Sequence, residues 1–450
     1  MAENSDKPIP LWLDCDPGHD DATAILLAGH SPRLRLLGVS AIGGNQTLDK
    51  VTHNALDVLD AIGLSHIDVV AGQARPLMRA PKLCPEIHGD SGLDGPGGGR
   101  LLPRSPRRPL PGRAVNVMFG AIRAAAVEEG FGEGGQEPGE EGAAAEGPRR
   151  RERVRLVCTG ALTNAALLLT IYPEVIDWVE VVIMGGAMGV GNTGPVMEFN
   201  IQTDPEAAKI VFESGVPLTM VPLEAGAGGG AGGGVQGGCA ATHGPRGSTA
   251  PAVTHTVLAT PEVLAAIGSG ATALDPGPPH HPASGAPGPG LHGPSPAAPE
   301  PLPASPAPPP PPPAASPFRS AVQQLLLFFA ATYRRVFHFQ HPPLHDPVAV
   351  AYVLAPALFT ARAMRVDVEV ASPLSAGQTV CDVWGQAQAP PNATVALRVE
   401  AEGFWGLLLE AIARADAVSP LNAAAGAGKA VGEEGQAVGE AGEVGQAVGV

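Results

Sequence analysis

Short apolar blocks alternate with helical patterns along the first half of the chain. The run Leu11-Trp12-Leu13 is followed by apolar positions at Ala22, Ile25 and Leu26, a helical spacing. Residues 34–40 (LRLLGVS) and 67–71 read as strands, and Val51, Ala55, Leu59 and Ile62 between them mark a helix. Further strands are expected at 155–158, 180–184 and 218–223. Asp204-Pro205-Glu206 is a helix start, with an acid at the N-cap and proline in the first turn. Strands alternating with helices predict an α/β fold, a Rossmann-like and mostly parallel sheet flanked by helices. In such sheets the active site lies at the carboxyl ends of the strands. Here those ends carry Asp14 and Asp16, Asn45, Thr159, Met184 and Glu224.

Composition breaks this pattern in four places. Gly (59) and Pro (49) supply about a quarter of the 450 residues. They cluster at about 132–152, 225–252, 269–317 and 424–450, segments too poor in large apolar side chains to offset chain entropy. The expectation is one domain over 8–423 with three disordered insertions and a disordered low-complexity tail. A net charge of −16 argues against nucleic acid and anionic membrane as partners. Five cysteines without CxxC spacing favour a reducing compartment. With no apolar leader in the first ten residues and no run long enough to span a bilayer, a soluble, cytoplasmic protein is expected.

The chemistry concentrates in residues 11–28, LWLDCDPGHDDATAILLA. Asp14, Asp16, Asp20 and Asp21 stand where strand gives way to helix, and four like charges so close repel unless a cation lies among them. Carboxylate oxygens suit a hard divalent ion, Ca²⁺ or Mg²⁺. An isolated calcium loop of the EF-hand kind fits poorly, because Ile25 occupies its twelfth ligand position and a strand precedes it. A haloacid-dehalogenase-type phosphatase would use the first Asp as nucleophile, but Pro17 and the extra Asp20-Asp21 pair suit it badly.

DCDPGHDD resembles the aspartate signature of the inosine-uridine-preferring nucleoside hydrolase family. The resemblance continues through GNQT (44–47), EIHGDSGL (86–93), TGALTN (159–164), MGGAMGVGN (184–192), EFNIQTDPEAA (198–208), LHDPVAVAY (344–352) and FWGLLLEAI (404–412). It implies calcium-dependent hydrolysis of the N-glycosidic bond of uridine- or inosine-type ribonucleosides to base and ribose, as in nucleoside catabolism and salvage. By the same resemblance Asp16, Asp21 and Asp346 ligate Ca²⁺ through carboxylates and Thr159 through its carbonyl. Asp16 is then the general base toward a water on the ion. Asp20, Asn45, Asn192, Glu198 and Asn200 hold the ribose hydroxyls, and Met184 lines the sugar. His345 assists the departing base, with His88 a second contact on that side, and Asp14 supports the ligands from behind. A homo-oligomer, dimer or tetramer, is implied in the same way.

Two departures stand out. Asp90 occupies a position where glutamate is expected, and a long insertion follows Glu224, close to the expected site. A catalytically impaired nucleoside- or ribose-binding homologue is therefore the alternative reading, although every expected acid, asparagine and histidine is present.

Overall fold

The computed structural model describes residues 7–131, 151–223, 253–274 and 311–423. Its strands are β1 (Ile9–Cys15), β2 (Leu34–Ala41), β3 (Val69–Ala71), β4 (Val154–Cys158), β5 (Val179–Met184), β6 (Leu218–Val221), β7 (Phe359–Met364), β8 (Val366–Val368), β9 (Thr379–Cys381) and β10 (Ala393–Val399). Its helices are α1 (His19–His30), α2 (Leu48–Ala61), α3 (Pro85–His88), α4 (Ala114–Glu128), α5 (Thr163–Ile171), α6 (Phe199–Thr203), α7 (Pro205–Glu213), α8 (Pro261–Ser269), α9 (Pro317–Phe337), α10 (Asp346–Leu354) and α11 (Ala401–Val418).

Among the described residues, eight strands form one sheet in the order β3-β2-β1-β4-β5-β6-β10-β7. All its pairings are parallel except β10 with β7. β1 is covered on both faces and reads apolar apart from Asp14 near its end, as a central parallel strand should. One apolar cluster packs α1, α2, α9, α10 and α11 on one face, and a second packs α4, α5 and α7 on the other. The chain runs outward from β1 to β3 and then returns to β4 on the opposite side of β1. The loops after β1 and β4 therefore diverge, opening a crevice at the strands' carboxyl ends.

The expected strands are all present: β2, β4 and β5 each gain one residue, β1 extends at both ends, and β3 and β6 are each two residues shorter than the sequence pattern defines. Thr260 caps α8 through its side chain, and Asp204 caps α7. The strands β10 and β7, which pair antiparallel at the sheet's edge, and the separate β8–β9 pair are additional to the expected pattern. The segment expected at 269–317 has structured ends: α8 closes at Ser269, Ser316 caps α9, and the Ala315 amide donates to the Gly268 carbonyl (2.9 Å). The rest of that expectation, most of 132–152, all of 225–252, the 424–450 tail and Glu224 lie outside the described residues. Among the described residues no helix is long and apolar enough to cross a membrane.

Candidate active site

Two helix N-termini and two strand ends meet beside the crevice. β1 delivers Asp14 and Asp16, and the turn at Pro17-Gly18 starts α1, placing Asp20 and Asp21 in its first turn. α10 begins at Asp346 with Pro347 behind it. The positive end of each helix dipole thus faces the acids. Oxygen atoms of Asp20, Asp21 and Asp346 lie within 4.8 Å of one another. Asp16 adjoins this trio, and its Oδ2 accepts the Asn45 amide (2.7 Å). Thr159 follows β4, and its hydroxyl donates to Asp21 Oδ1 (2.8 Å).

These carboxyls are buried, and burial sets their ionisation. Desolvation first, then repulsion from Asp21, pushes Asp20 up to about 7. The same two causes raise Asp16 well above the carboxylate range, and desolvation with repulsion from Asp20, Asp21 and Asp16 does so for Asp346. Asp21 is also raised by burial, against hydrogen bonds from Gly18 and Thr159. A cation among them would reverse the balance. The geometry supports one: Asp16 Oδ1 is buried with no hydrogen-bond partner among the described residues. A buried acceptor in that state costs free energy unless a ligand completes it. Glycines keep the surroundings narrow, since a Cβ on Gly44 would stand 2.1 Å from Asp16 Oδ2 and one on Gly160 2.7 Å from Oδ1. An all-oxygen, carboxylate-rich set of this kind suits a hard divalent ion.

Asp14 is separate from this group. It is fully buried, accepts from Ser40 (2.5 Å) and Asn164 (2.8 Å) on Oδ1, and is raised to about 7 by burial. Its Oδ2 has no hydrogen-bond partner among the described residues but is buried and lies off the cavity wall, out of a phosphatase substrate's reach.

Above the acids lies a cavity of about 240 Å³ whose wall includes Asp20, Thr159 and Asp346. Asp16 and Asp21 are fully buried and lie off that wall. At one end α6 gathers the polar groups. Glu198 caps it, accepting the amides of Asn200 (2.9 Å), Ile201 (3.0 Å) and Gly186 (3.0 Å), which oppose the upward push of burial on its carboxyl. Asn200 Nδ2 donates to the carbonyls of Thr159 (2.7 Å) and Met184 (3.2 Å), and Asn192 Oδ1 accepts the Phe199 amide (3.0 Å).

The other end is aromatic. α9 presents Phe329, Tyr333 and Phe337 at intervals of four, and His88 stacks on Phe329 with ring centres 5.6 Å apart. The His19 amide donates to His88 Nδ1 (3.3 Å). Burial holds both His88 and His345 well below the ordinary histidine range. His345 is bonded on both sides: Nδ1 lies 2.8 Å from the Thr254 hydroxyl and Nε2 2.8 Å from the Tyr333 hydroxyl. With the ring proton on Nδ1, Thr254 accepts it and donates onward to the Leu223 carbonyl (3.3 Å), and Tyr333 donates to Nε2. In the alternative tautomer Nε2–H donates to the Tyr333 oxygen and Thr254 donates to Nδ1, which leaves the Tyr333 proton free toward the cavity.

Every residue the sequence singles out for the site thus gathers at or directly beneath one cavity. Asp20 is the one whose surroundings differ most from its expected part, because it clusters with Asp21 and Asp346 more closely than Asp16 does. Asp90 turns away, 95% exposed and paired with Lys50 (2.9 Å). Tyr333, Phe329, Cys84 and Lys82 also line the cavity but do not figure in the sequence reading. The aromatic period along α9 was the one available signal, and it reads equally well as core packing.

A family model described as "Inosine-uridine preferring nucleoside hydrolase" matches residues 11–406. A Dictyostelium discoideum protein named "Probable ribonucleoside hydrolase" is 35% identical over 411 residues, covering 91% of this chain and 95% of its own. A "Pyrimidine-specific ribonucleoside hydrolase RihA" from Shewanella sp. (strain ANA-3) is 34% identical over 406 residues, covering 90% and 96%. Among solved structures, a "Purine-Preferring Ribonucleoside Hydrolase from Gardnerella vaginalis" superposes with TM-score 0.64 at 24% identity over 91% of this chain and 99% of that one, a likeness of fold.

Proposed function

The chain belongs to the inosine-uridine preferring nucleoside hydrolase family and is a nucleoside N-glycosyl hydrolase, and from that premise we propose that it cleaves ribonucleosides to free base and ribose with calcium as its metal. The observation that carries this reading is the meeting of Asp16, Asp20, Asp21, Thr159 and Asp346, from three distant parts of the chain, around one buried carboxylate oxygen that lacks a partner.

Asp16, Asp21, Asp346 and the Thr159 carbonyl are the proposed ligands. A hard divalent ion bound there supplies Lewis-acid polarisation of a water and of ribose hydroxyls. Asp16 takes the proton from the attacking water through Oδ1, the oxygen free of protein hydrogen bonds. Asp20, Asn45, Asn192, Glu198 and Asn200 hold the ribose, while Met184 lines its face. Gripping the sugar at several hydroxyls favours a distorted, oxocarbenium-like geometry over the relaxed ground state. The base lies toward His88, Phe329, Tyr333 and His345. His345 assists the departing base through Tyr333: with its proton on Nε2 it donates to the Tyr333 oxygen, so the Tyr333 O–H turns to the cavity and hydrogen-bonds the leaving base. The aromatic wall holds the ring by stacking.

A reducing-sugar assay on uridine and inosine tests the whole reading. Ribose is expected from wild type and lost on chelation, with return on adding calcium. Asp16→Asn, which preserves shape, is expected to lower kcat by roughly 10³-fold. Turnover that persists after complete chelation, or an active Asp16→Asn protein, contradicts it.

A further inference from the structure

Asn45 sits between the acids and the cavity with its amide oriented by partners on both sides. Its main-chain N–H donates to Asp16 Oδ2 (2.7 Å), and its Nδ2 donates to the Asp16 carbonyl (3.0 Å) and to Asp21 Oδ2 (3.1 Å). The opposite atom, Oδ1, accepts the Cys84 thiol, with sulfur and oxygen 3.3 Å apart. The Cys84 amide also donates to the Asn45 carbonyl (3.3 Å). Cys84 is buried, lines the cavity, and precedes α3, the short helix that carries His88.

From this arrangement we infer that Cys84 is a positioning residue: its S–H bond to Asn45 Oδ1 holds the amide in the one orientation that turns N–H donors toward Asp16 and Asp21. The inference rests on those two acids being cation ligands, as proposed above. A flipped Asn45 would set its carbonyl oxygen against Asp21 Oδ2 and the Asp16 carbonyl, three acceptors facing one another. Removing the thiol donor leaves Oδ1 buried without its partner and makes that flip competitive. Burial and the nearby Asp16, Glu86, Asp20 and Asp21 keep the thiol in its protonated, donating form. Cys84 is therefore a hydrogen-bond donor, with no nucleophilic part in the reaction.

The test measures calcium binding directly, by titration calorimetry on metal-stripped full-length protein, with ribose release recorded alongside. Cys84→Ala is expected to weaken calcium binding about tenfold, the loss of one buried hydrogen bond. Cys84→Ser, which restores a donor, is expected to recover affinity to within about threefold of wild type. Should the alanine variant fail to fold, Cys84→Val supplies the donor-free comparison at similar volume. Wild-type affinity in the donor-free variants overturns the inference. So does equal weakening in the serine variant, which would assign the effect to packing. A wild-type protein that binds calcium but releases no ribose sinks the proposed activity and leaves this inference to be judged on affinity alone.

Discussion

The leaving-group side of the site turns on two hydroxyls around one imidazole. With the Thr254 hydroxyl on Nδ1 and the Tyr333 hydroxyl on Nε2, His345 has no nitrogen free to meet a base. In the proposed reaction its part in departure therefore runs through the hydroxyl of Tyr333, a residue absent from the sequence reading. Tyr333→Phe keeps the ring that packs on Phe329 and removes only the oxygen. Turnover of inosine or uridine by that variant is expected to fall about 10²-fold. An activated p-nitrophenyl riboside, which needs no help from an acid, should change by no more than about threefold, far below a general-acid contribution. Steady-state comparison of the two substrates checks this, and equal losses on both would remove Tyr333 and His345 from leaving-group assistance.

At the scale of elements, the site depends on turns that approach Asp16 more closely than a side chain permits. β2 ends at Ala41, and the Gly43-Gly44-Asn45 turn swings the Asn45 amide onto Asp16. A methyl group on Gly44 would meet Asp16 Oδ2 at 2.1 Å, a contact relieved only by moving the carboxylate or the turn. Gly44→Ala is expected to cut kcat/KM at least tenfold, as a misplaced catalytic group does, with the far-ultraviolet circular dichroism spectrum unchanged. Wild-type kinetics in that variant would show that the turn has slack. The apolar blocks make β1, β2, β4, β5 and β6 legible because parallel central strands are hydrophobic on both faces. The β8–β9 pair and edge strand β7 were not legible. β7 exposes four of its six residues, so it lacks the apolar run that marks a buried strand.

For the molecule as a whole, the acids store an electrostatic penalty that a cation relieves. Asp14 and Asp20 sit near 7 in the fold, against about 3.9 for an unfolded aspartate. The folded chain therefore holds protons that the unfolded chain has released. Metal-free stability from these groups is fully present below the unfolded value and fades as pH rises through about 7. The proposed calcium would compete with the protons held by its ligands Asp16, Asp21 and Asp346, whose carboxyls burial also raises, so its stabilising effect should grow as pH rises. Calorimetric scans with and without calcium at 100 times its Kd should show about 2.7 kcal/mol of stabilisation at pH 7.5 and clearly less at pH 5. An equal calcium effect at both pH values would mean that the buried acids are not where the ion binds. The long insertion after Glu224 is compatible with this arrangement at its flanks. Leu223 and Thr254 are joined by a hydrogen bond, as are Leu223 and His255, so the chain leaves and re-enters at one place. Loop closure costs grow only slowly with length.

By itself the sequence determined the alternation of buried strands and helices, the parallel sheet, and the crowding of acids at the end of β1, because each is written in local spacing and in the mutual repulsion of like charges. Only the tertiary structure decided that Asp346 comes within 4.8 Å of Asp20 and Asp21, that Asp16 keeps one oxygen free, and that Tyr333 bonds His345 at Nε2. Those contacts join residues up to hundreds of positions apart. No local pattern of polarity encodes which distant side chains will share a cavity, whereas the order of strands across a switch point fixes it directly.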